Sequence, residues 1–179
     1  VTGKEARAYL DRAQTADFIA FGMEPEFIGR LPVRVACNDL TEDDLYDILS
    51  TSEGSILKQY QESFAAYGIE ALFAEDGIRA LANMASREQT GARGLVTVTE
   101  RVLREFKYEL PSTGIKQLVI TAALVRDPHA EFERIMQDGE YENRQYLVER
   151  IKRYVKTFSE KNGVHVRFDD SARAYACEQ

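Results

Sequence analysis

The chain has 179 residues, 44% of them hydrophobic and 30% charged, with a net charge of −7. That composition suits a globular protein with a real core; no apolar run approaches the roughly 20 residues of a membrane span, and no secretory signal opens the chain. The acid excess argues against a dedicated nucleic-acid binder, which is usually basic, and it repels polyanions at long range, so any phosphate contact has to be made locally by particular cations.

Residues 4–19 are mixed in charge and read as a weak helix or the tail of a preceding domain. Gly22 and Pro25 punctuate a turn. Pro25, Glu26, Phe27 and Ile28 then open a short helix with proline in its first turn, and Gly29 ends it, leaving Arg30 on the exit. Leu31–Cys37 is alternating and β-branched, the pattern of a strand. Thr41 with Asp44 resembles a capping box, with Asp in place of Glu or Gln. Leu45, Ile48 and Leu49 follow at helical spacing. Ile56, Leu57, Tyr60 and Phe64 form a second apolar stripe, closed by Gly68. Ile69–Phe73 reads as a short strand. Glu75 and Asp76 stand at the next helix start, where they favour the positive end of the dipole, and Ile78, Leu81, Ala82 and Ala85 form its inner face. Thr90-Gly91 opens a longer helix with Leu95, Val98, Val102, Leu103 and Phe106 inward, stopped by Pro111 and Gly114. Lys116–Thr121 is a further strand with Leu118 and Ile120 on one face. Together these elements specify an α+β, mainly helical module with a small sheet.

Asp127-Pro128 marks a boundary. His129–Asp138 reads as a short helix broken by Gly139, and Tyr141–Phe158 as a longer amphipathic one with Leu147, Ile151, Tyr154, Val155 and Phe158 on one side. Gly163 ends it, Val164–Phe168 alternates as a strand, and Ser171–Gln179 reads as a helix. The tail echoes the earlier module: Leu57-Lys-Gln-Tyr60 with Phe64 has a counterpart in Ile151-Lys-Arg-Tyr154 with Phe158. Two readings stand, a partial internal repeat or the pattern that any helix–glycine–strand unit generates. A chain that opens on Val1 and stops inside a helical pattern reads as a piece of something longer.

Two motifs carry chemistry. Glu26-Phe-Ile-Gly-Arg-Leu-Pro32 sets Arg30 beside Gly29, and Thr90-Gly-Ala-Arg-Gly-Leu95 sets Arg93 between Gly91 and Gly94. A guanidinium is a permanently charged planar fork suited to phosphate, and a neighbouring glycine lets the backbone come close to what it touches. The pair suggests one highly charged ligand gripped from two sides. The plain alternative for Arg30 is an arginine capping helix carbonyls. For Arg93 it is a surface arginine at a helix start, an odd place for a cation, which a phosphate would relieve. No Gly-x-x-x-x-Gly-Lys-Ser/Thr loop cradles a phosphate. Cys37 and Cys177 lie far apart with no second ligand near either and read as reduced thiols. His129 and His165 are single and unsupported, so no metal site is expected. Arg150, Lys152, Arg153 and Lys156 read as a solvated basic face, with a docking surface for DNA or an acidic partner as the lesser reading.

The ordered run Phe21-Gly-Met-Glu-Pro-Glu-Phe-Ile-Gly-Arg-Leu-Pro-Val33, Leu45 to Leu49, Leu57-Lys-Gln-Tyr60, Thr90-Gly-Ala-Arg-Gly-Leu95 and Glu109-Leu-Pro-Ser112 resembles the C-terminal part of the ClpX family of AAA+ ATPases, over residues 15–125. The HslU family shares Gly-Arg-Leu-Pro and fits the second motif less well. The resemblance implies the end of an AAA+ large domain over 1–38, a small lid domain over 39–125 and a C-terminal extension over 126–179 that the ClpX pattern does not match. It implies Arg30 as a catalytic arginine finger reaching ATP bound in a neighbouring subunit. It implies Arg93, with Gly91 and Gly94, as the sensor-2 site on ATP in its own subunit. It implies ATP with Mg in the full-length protein and none bound to this piece alone. A hexameric ring of identical subunits, protein substrates, a ClpP-like peptidase and a cytoplasmic location complete the expectation. Val96 stands where the family commonly has a basic residue, and Met23-Glu24 replaces a more apolar pair. Without Walker A and B motifs, this piece alone is expected to be inactive. A non-catalytic interaction and assembly module with a lid-like fold is the other class of function; a motor acting on nucleic acid is a third.

Overall fold

The computed structural model describes residues 9–51, 56–163 and 166, and of residues 139–143 the backbone only. The chain divides into two compact units, Val1–Asp39 and Leu40–Gln179. Helices are numbered below over the described residues.

In the first unit, α1 is Thr15–Ala20 and α2 is Pro25–Gly29. The Gln14 N–H donates to the Asp17 carboxylate at 2.8 Å, tying off the start of α1. Gly22, at φ 109°, turns the chain, and the Met23 N–H donates back to the Phe18 carbonyl at 3.0 Å. Pro25 occupies the first turn of α2, and Ile28 is its buried side chain. The strand expected over Leu31–Cys37 does not form: residues 31–41 take no regular structure, and Val33 and Val35 are 79% and 78% exposed. A β-branched run becomes a strand when a neighbour completes its ladder, and no neighbour does so among the described residues.

The second unit runs α3 (Glu42–Thr51), α4 (Ile56–Ala65), β1 (Glu70–Phe73), α5 (Glu75–Arg87), α6 (Arg93–Glu109), a 3-10 turn (Leu110–Ser112), β2 (Gln117–Ile120), α7 (Ala122–Arg126), α8 (Pro128–Gln137) and α9 (Gly139–Asn162). The capping box at α3 is present: the Thr41 N–H donates to Asp44 at 2.9 Å and the Asp44 N–H to the Thr41 hydroxyl at 3.2 Å. The backbone and then the hydroxyl hydrogen bonds from Thr41 hold the Asp44 carboxyl below its usual range. Strands β1 and β2 pair in parallel, Ala71 opposite Leu118 and Phe73 opposite Ile120. Parallel neighbours need a long crossover, which α5 and α6 supply. The outer side of β1 has another partner: the Gln61 side-chain amide of α4 donates to the Ala71 carbonyl at 3.0 Å.

Period two in β2 sends Leu118 and Ile120 into the main core with Phe64, Leu81, Leu95, Leu103 and Phe106. Leu72 and Val119 face the other way and pack with Ala74 and Tyr146 of α9. Three expectations for the tail change. Helix α7, not foreseen, is one short turn capped by Thr121, whose hydroxyl accepts from the Leu124 N–H. Gly139 opens α9 instead of breaking the chain; the break falls on Asp138, at φ −132° and ψ 79°. The inward residue of α9 is Tyr146, fully buried, whereas Tyr154 and Phe158 are 67% and 40% exposed and stack on each other at 6.0 Å. The strand expected over Val164–Phe168 and the helix over Ser171–Gln179 lie outside the described residues. No helix among the described residues is long and apolar enough to cross a membrane.

Candidate functional site

Arg30 is the residue on which α2 ends, at φ −84° and ψ −8°, with its N–H on the Phe27 carbonyl at 3.1 Å. Its side chain is exposed and forms no hydrogen bond or ion pair with the described residues. The carbonyl-capping duty that was the plain alternative for Arg30 falls instead to Arg34. The Arg34 Nη2 donates to the Ile28 carbonyl at 3.4 Å, and its guanidinium lies over the Phe18 ring at 5.4 Å. The sequence carried a signal for this, a second arginine four positions on, which the reading passed over. Gly29 has open space where a Cβ would stand.

Arg93 is the first residue of α6. The chain reaches it through a tight connection in which Gln89 and Gly91 take positive φ, 52° and 62°. Glu88 in that connection is held by Arg101, about two turns along α6, at 2.9 Å. Gly94 is used by the fold itself: a Cβ there would stand 2.9 Å from the Thr90 hydroxyl and 3.1 Å from the Ala85 carbonyl. The end of α5 and the start of α6 therefore meet at backbone distance. Ala92 provides no side-chain cap, and no acidic residue stands in the first turn of α6. The positive end of a 17-residue helix has no side-chain cap, although the Gly94 and Leu95 N–H groups donate to the Gly91 and Ala92 carbonyls at 3.0 and 3.2 Å, and an exposed Arg93 stands beside it that pairs with no described residue. A helix N-terminus plus a guanidinium has the chemistry of an anion receptor. That chemistry suits a phosphate group. No group of three or more His, Cys, Asp or Glu able to hold a metal ion occurs among the described residues, so no residue here is assigned to Mg.

Elsewhere the polar groups work for the fold. Asp76 accepts from the Gly77 N–H at 2.9 Å and from the Ala122 N–H at 3.1 Å, pinning the start of α5 to the start of α7. The Tyr60 hydroxyl of α4 donates to Glu100 of α6; burial first, and the carboxylate second, raise its pKa. His129 is not unsupported: its Nδ1 lies 3.0 Å from Glu105 and its Nε2 4.0 Å from Glu133. The Glu105 hydrogen bond and charge raise its pKa. Cys37 is an exposed free thiol; Cys177 and His165 lie outside the described residues. A cleft of about 440 Å³ lies at the start of α5, lined among others by Tyr46, Leu72, Phe73, Glu75, Lys152 and Lys156. It includes none of the expected site residues. The Arg93 loop leaves from the opposite end of α5, about 20 Å away for 13 residues at 1.5 Å each.

No family model matches the chain. Curated relatives do. It is 44% identical over 119 residues, 64% of its length, to an ATP-dependent protease ATPase subunit HslU from Thermotoga sp. (strain RQ2). It is 38% identical over 123 residues, 68% of its length, to an ATP-dependent Clp protease ATP-binding subunit ClpX from Treponema denticola. A ClpX from Borrelia duttonii is 37% identical over 130 residues. The chain spans only 25% of the HslU and 30% of each ClpX relative.

Proposed function

We propose that this chain is the lid-bearing part of a ClpX-like AAA+ protein unfoldase, in which Arg30 is the arginine finger and Arg93 the sensor-2 arginine. The observation that carries the reading is that both guanidiniums, each inside the motif that resembles the family, are exposed and unpaired among the described residues, while Arg34 and Arg101 are engaged by the fold. Arg34 caps α2 and Arg101 holds Glu88. A cation kept free of internal partners is available to a ligand.

In this reading the ATP-binding core and the groups that hold Mg belong to the rest of the protein, in the large domain that residues 1–38 conclude. Bound ATP supplies the phosphoanhydride whose cleavage drives the machine. Arg30 would approach ATP across a subunit seam of a hexameric ring and stabilise the charge that develops on the transferred phosphoryl group. Arg93, at the start of α6, would contact the phosphates in its own subunit. The tight α5–α6 crossing at Gly94 gives Arg93 a rigid mount, so its engagement turns the lid, residues 39–125, as a body. Protein substrates, a ClpP-like peptidase and a cytoplasmic setting follow from the same reading.

Steady-state ATP hydrolysis by the full-length protein tests it. Arg30→Ala is expected to lower kcat about 10³-fold or more, the scale of a lost arginine finger. Arg93→Ala should cut kcat/KM about 10- to 100-fold, the scale of one charged hydrogen bond to phosphate. Arg34→Ala, which removes a cap and no ligand contact, should keep turnover near the parent value. Normal hydrolysis in both of the first two variants would overturn the assignment.

A further inference from the structure

We infer that α9 is a releasable strap, clamped over the second face of the β1–β2 sheet by one aromatic anchor, Tyr146. Four observations on its packing converge. Of the described side chains in this 24-residue helix, only Tyr146 is buried. It packs with Leu72, Ala74 and Val119, a cluster separate from the main core. The helix therefore closes a small apolar face of the sheet, separate from the main core, and its other described apolar side chains, such as Leu147, Ile151 and Val155, are only partly buried.

The anchor is imperfect by chemistry. The Tyr146 hydroxyl is buried and reaches no partner at full hydrogen-bond geometry; burial first, and the nearby Glu70 carboxylate second, raise its pKa, and Arg150 lies over its ring at 5.7 Å. Burying an unsatisfied hydroxyl opposes docking, and release into water satisfies it. Beyond the anchor the helix stands over open space: Lys152, Arg153 and Lys156 of α9 form one wall of the cleft of about 440 Å³ whose other walls are Tyr46, Phe73 and Glu75. What crosses it is the Lys156–Glu75 pair at 3.6 Å, with both side chains more than half exposed, an interaction that salt and side-chain entropy reduce to little.

The connection and the helix itself permit release. Asp138 leaves α-helical backbone between α8 and α9, so the strap swings at one residue. Undocked, α9 stays helical: it is rich in Glu, Arg and Lys and carries its own Glu149–Lys152 pair one turn apart. Release uncovers Leu72 and Val119 without opening the main core.

A thiol probe separates this from global unfolding. In the full-length protein with its other cysteines replaced by serine, Val119→Cys reports the strap-covered face and Val102→Cys, on α6, the main core. Alkylation by iodoacetamide at position 119 is expected at least tenfold faster than at position 102. Tyr146→Ala should accelerate it at 119 by a further 30-fold or more. Tyr146→Phe, which deletes the stranded hydroxyl and keeps the ring, should slow it about tenfold. Position 102 should stay within twofold of its starting rate throughout. Equal rates at the two positions, or the two moving together with Tyr146, would show one cooperative unit and end the proposal. If Tyr146→Ala does not fold, Tyr146→Phe decides alone: slower labelling at 119 supports the strap, and an unchanged rate overturns it.

Discussion

Arg34 takes the backbone duty that would otherwise compete for Arg30. The sequence made the two arginines look alike; only the turn at the end of α2 distinguishes them, because it sets which guanidinium reaches back to the Ile28 carbonyl. The candidate site was legible where a motif carried it, as at Arg93 beside two glycines. It was not legible where a residue acts through a distant partner, as Arg101 does on Glu88. Thr99 is a further feature that the sequence does not announce. It is fully buried in α6 and its hydroxyl has no partner among the described residues. Thr99→Val keeps the shape and removes the stranded oxygen, so it is expected to stabilise the fold by about 1 kcal/mol, read as a higher urea midpoint at unchanged m. His129 gives a pH-dependent counterpart. Its pKa is raised by Glu105, so its folded value lies above the unfolded reference of about 6.5. Its contribution is then complete below the unfolded pKa and is lost as pH rises through the folded one. NMR titration should place the His129 pKa above that of a free imidazole, and His129→Gln should remove this component from the difference between melts at acidic and alkaline pH.

At the scale of elements, glycine positions separate the demands of packing from those of turns. A Cβ at Gly77 would stand 2.1 Å from the Ile120 carbonyl oxygen and 2.9 Å from its carbon, which is fixed backbone at the end of β2. Gly77→Ala must therefore push α5 off the sheet, and it is expected to cost about 3 kcal/mol or more, at the upper end of overpacking. Gly94→Ala meets a movable Thr90 hydroxyl first and should cost about 1–2 kcal/mol. Gly29→Ala, with open space, should change stability by less than about 0.5 kcal/mol. Thermal melts of the three variants, ranked in that order, check the argument. The sequence announced the helices α3 to α6 and both strands because their apolar periods are long or bounded by glycine. It missed α7 because five residues carry too little period to read. It misread Leu31–Cys37 because strand propensity needs a neighbour; on α9 the partly buried Leu147, Ile151 and Val155 belong to the expected face, but the buried Tyr146 was missed because its partners, Leu72 and Val119, are a sheet surface far back in the chain.

At the scale of the molecule, the two candidate arginines fall in different compact units: Arg30 in the first, Arg93 in the second. The α+β, mainly helical architecture expected from pattern is the one observed, and the tail from α7 onward joins the same compact unit as α3 to α6. That unit is built on a sheet of only two strands, and so small a sheet has two flanks on which a foreign chain could add. The Gln61 amide, already engaged with the Ala71 carbonyl, stands guard at one of them. Gln61→Leu should leave the monomer's melting point almost unchanged yet hasten clouding on prolonged warming, measured by light scattering. Protection of that flank against an added strand would then rest on a single side chain that contributes little to holding the fold together.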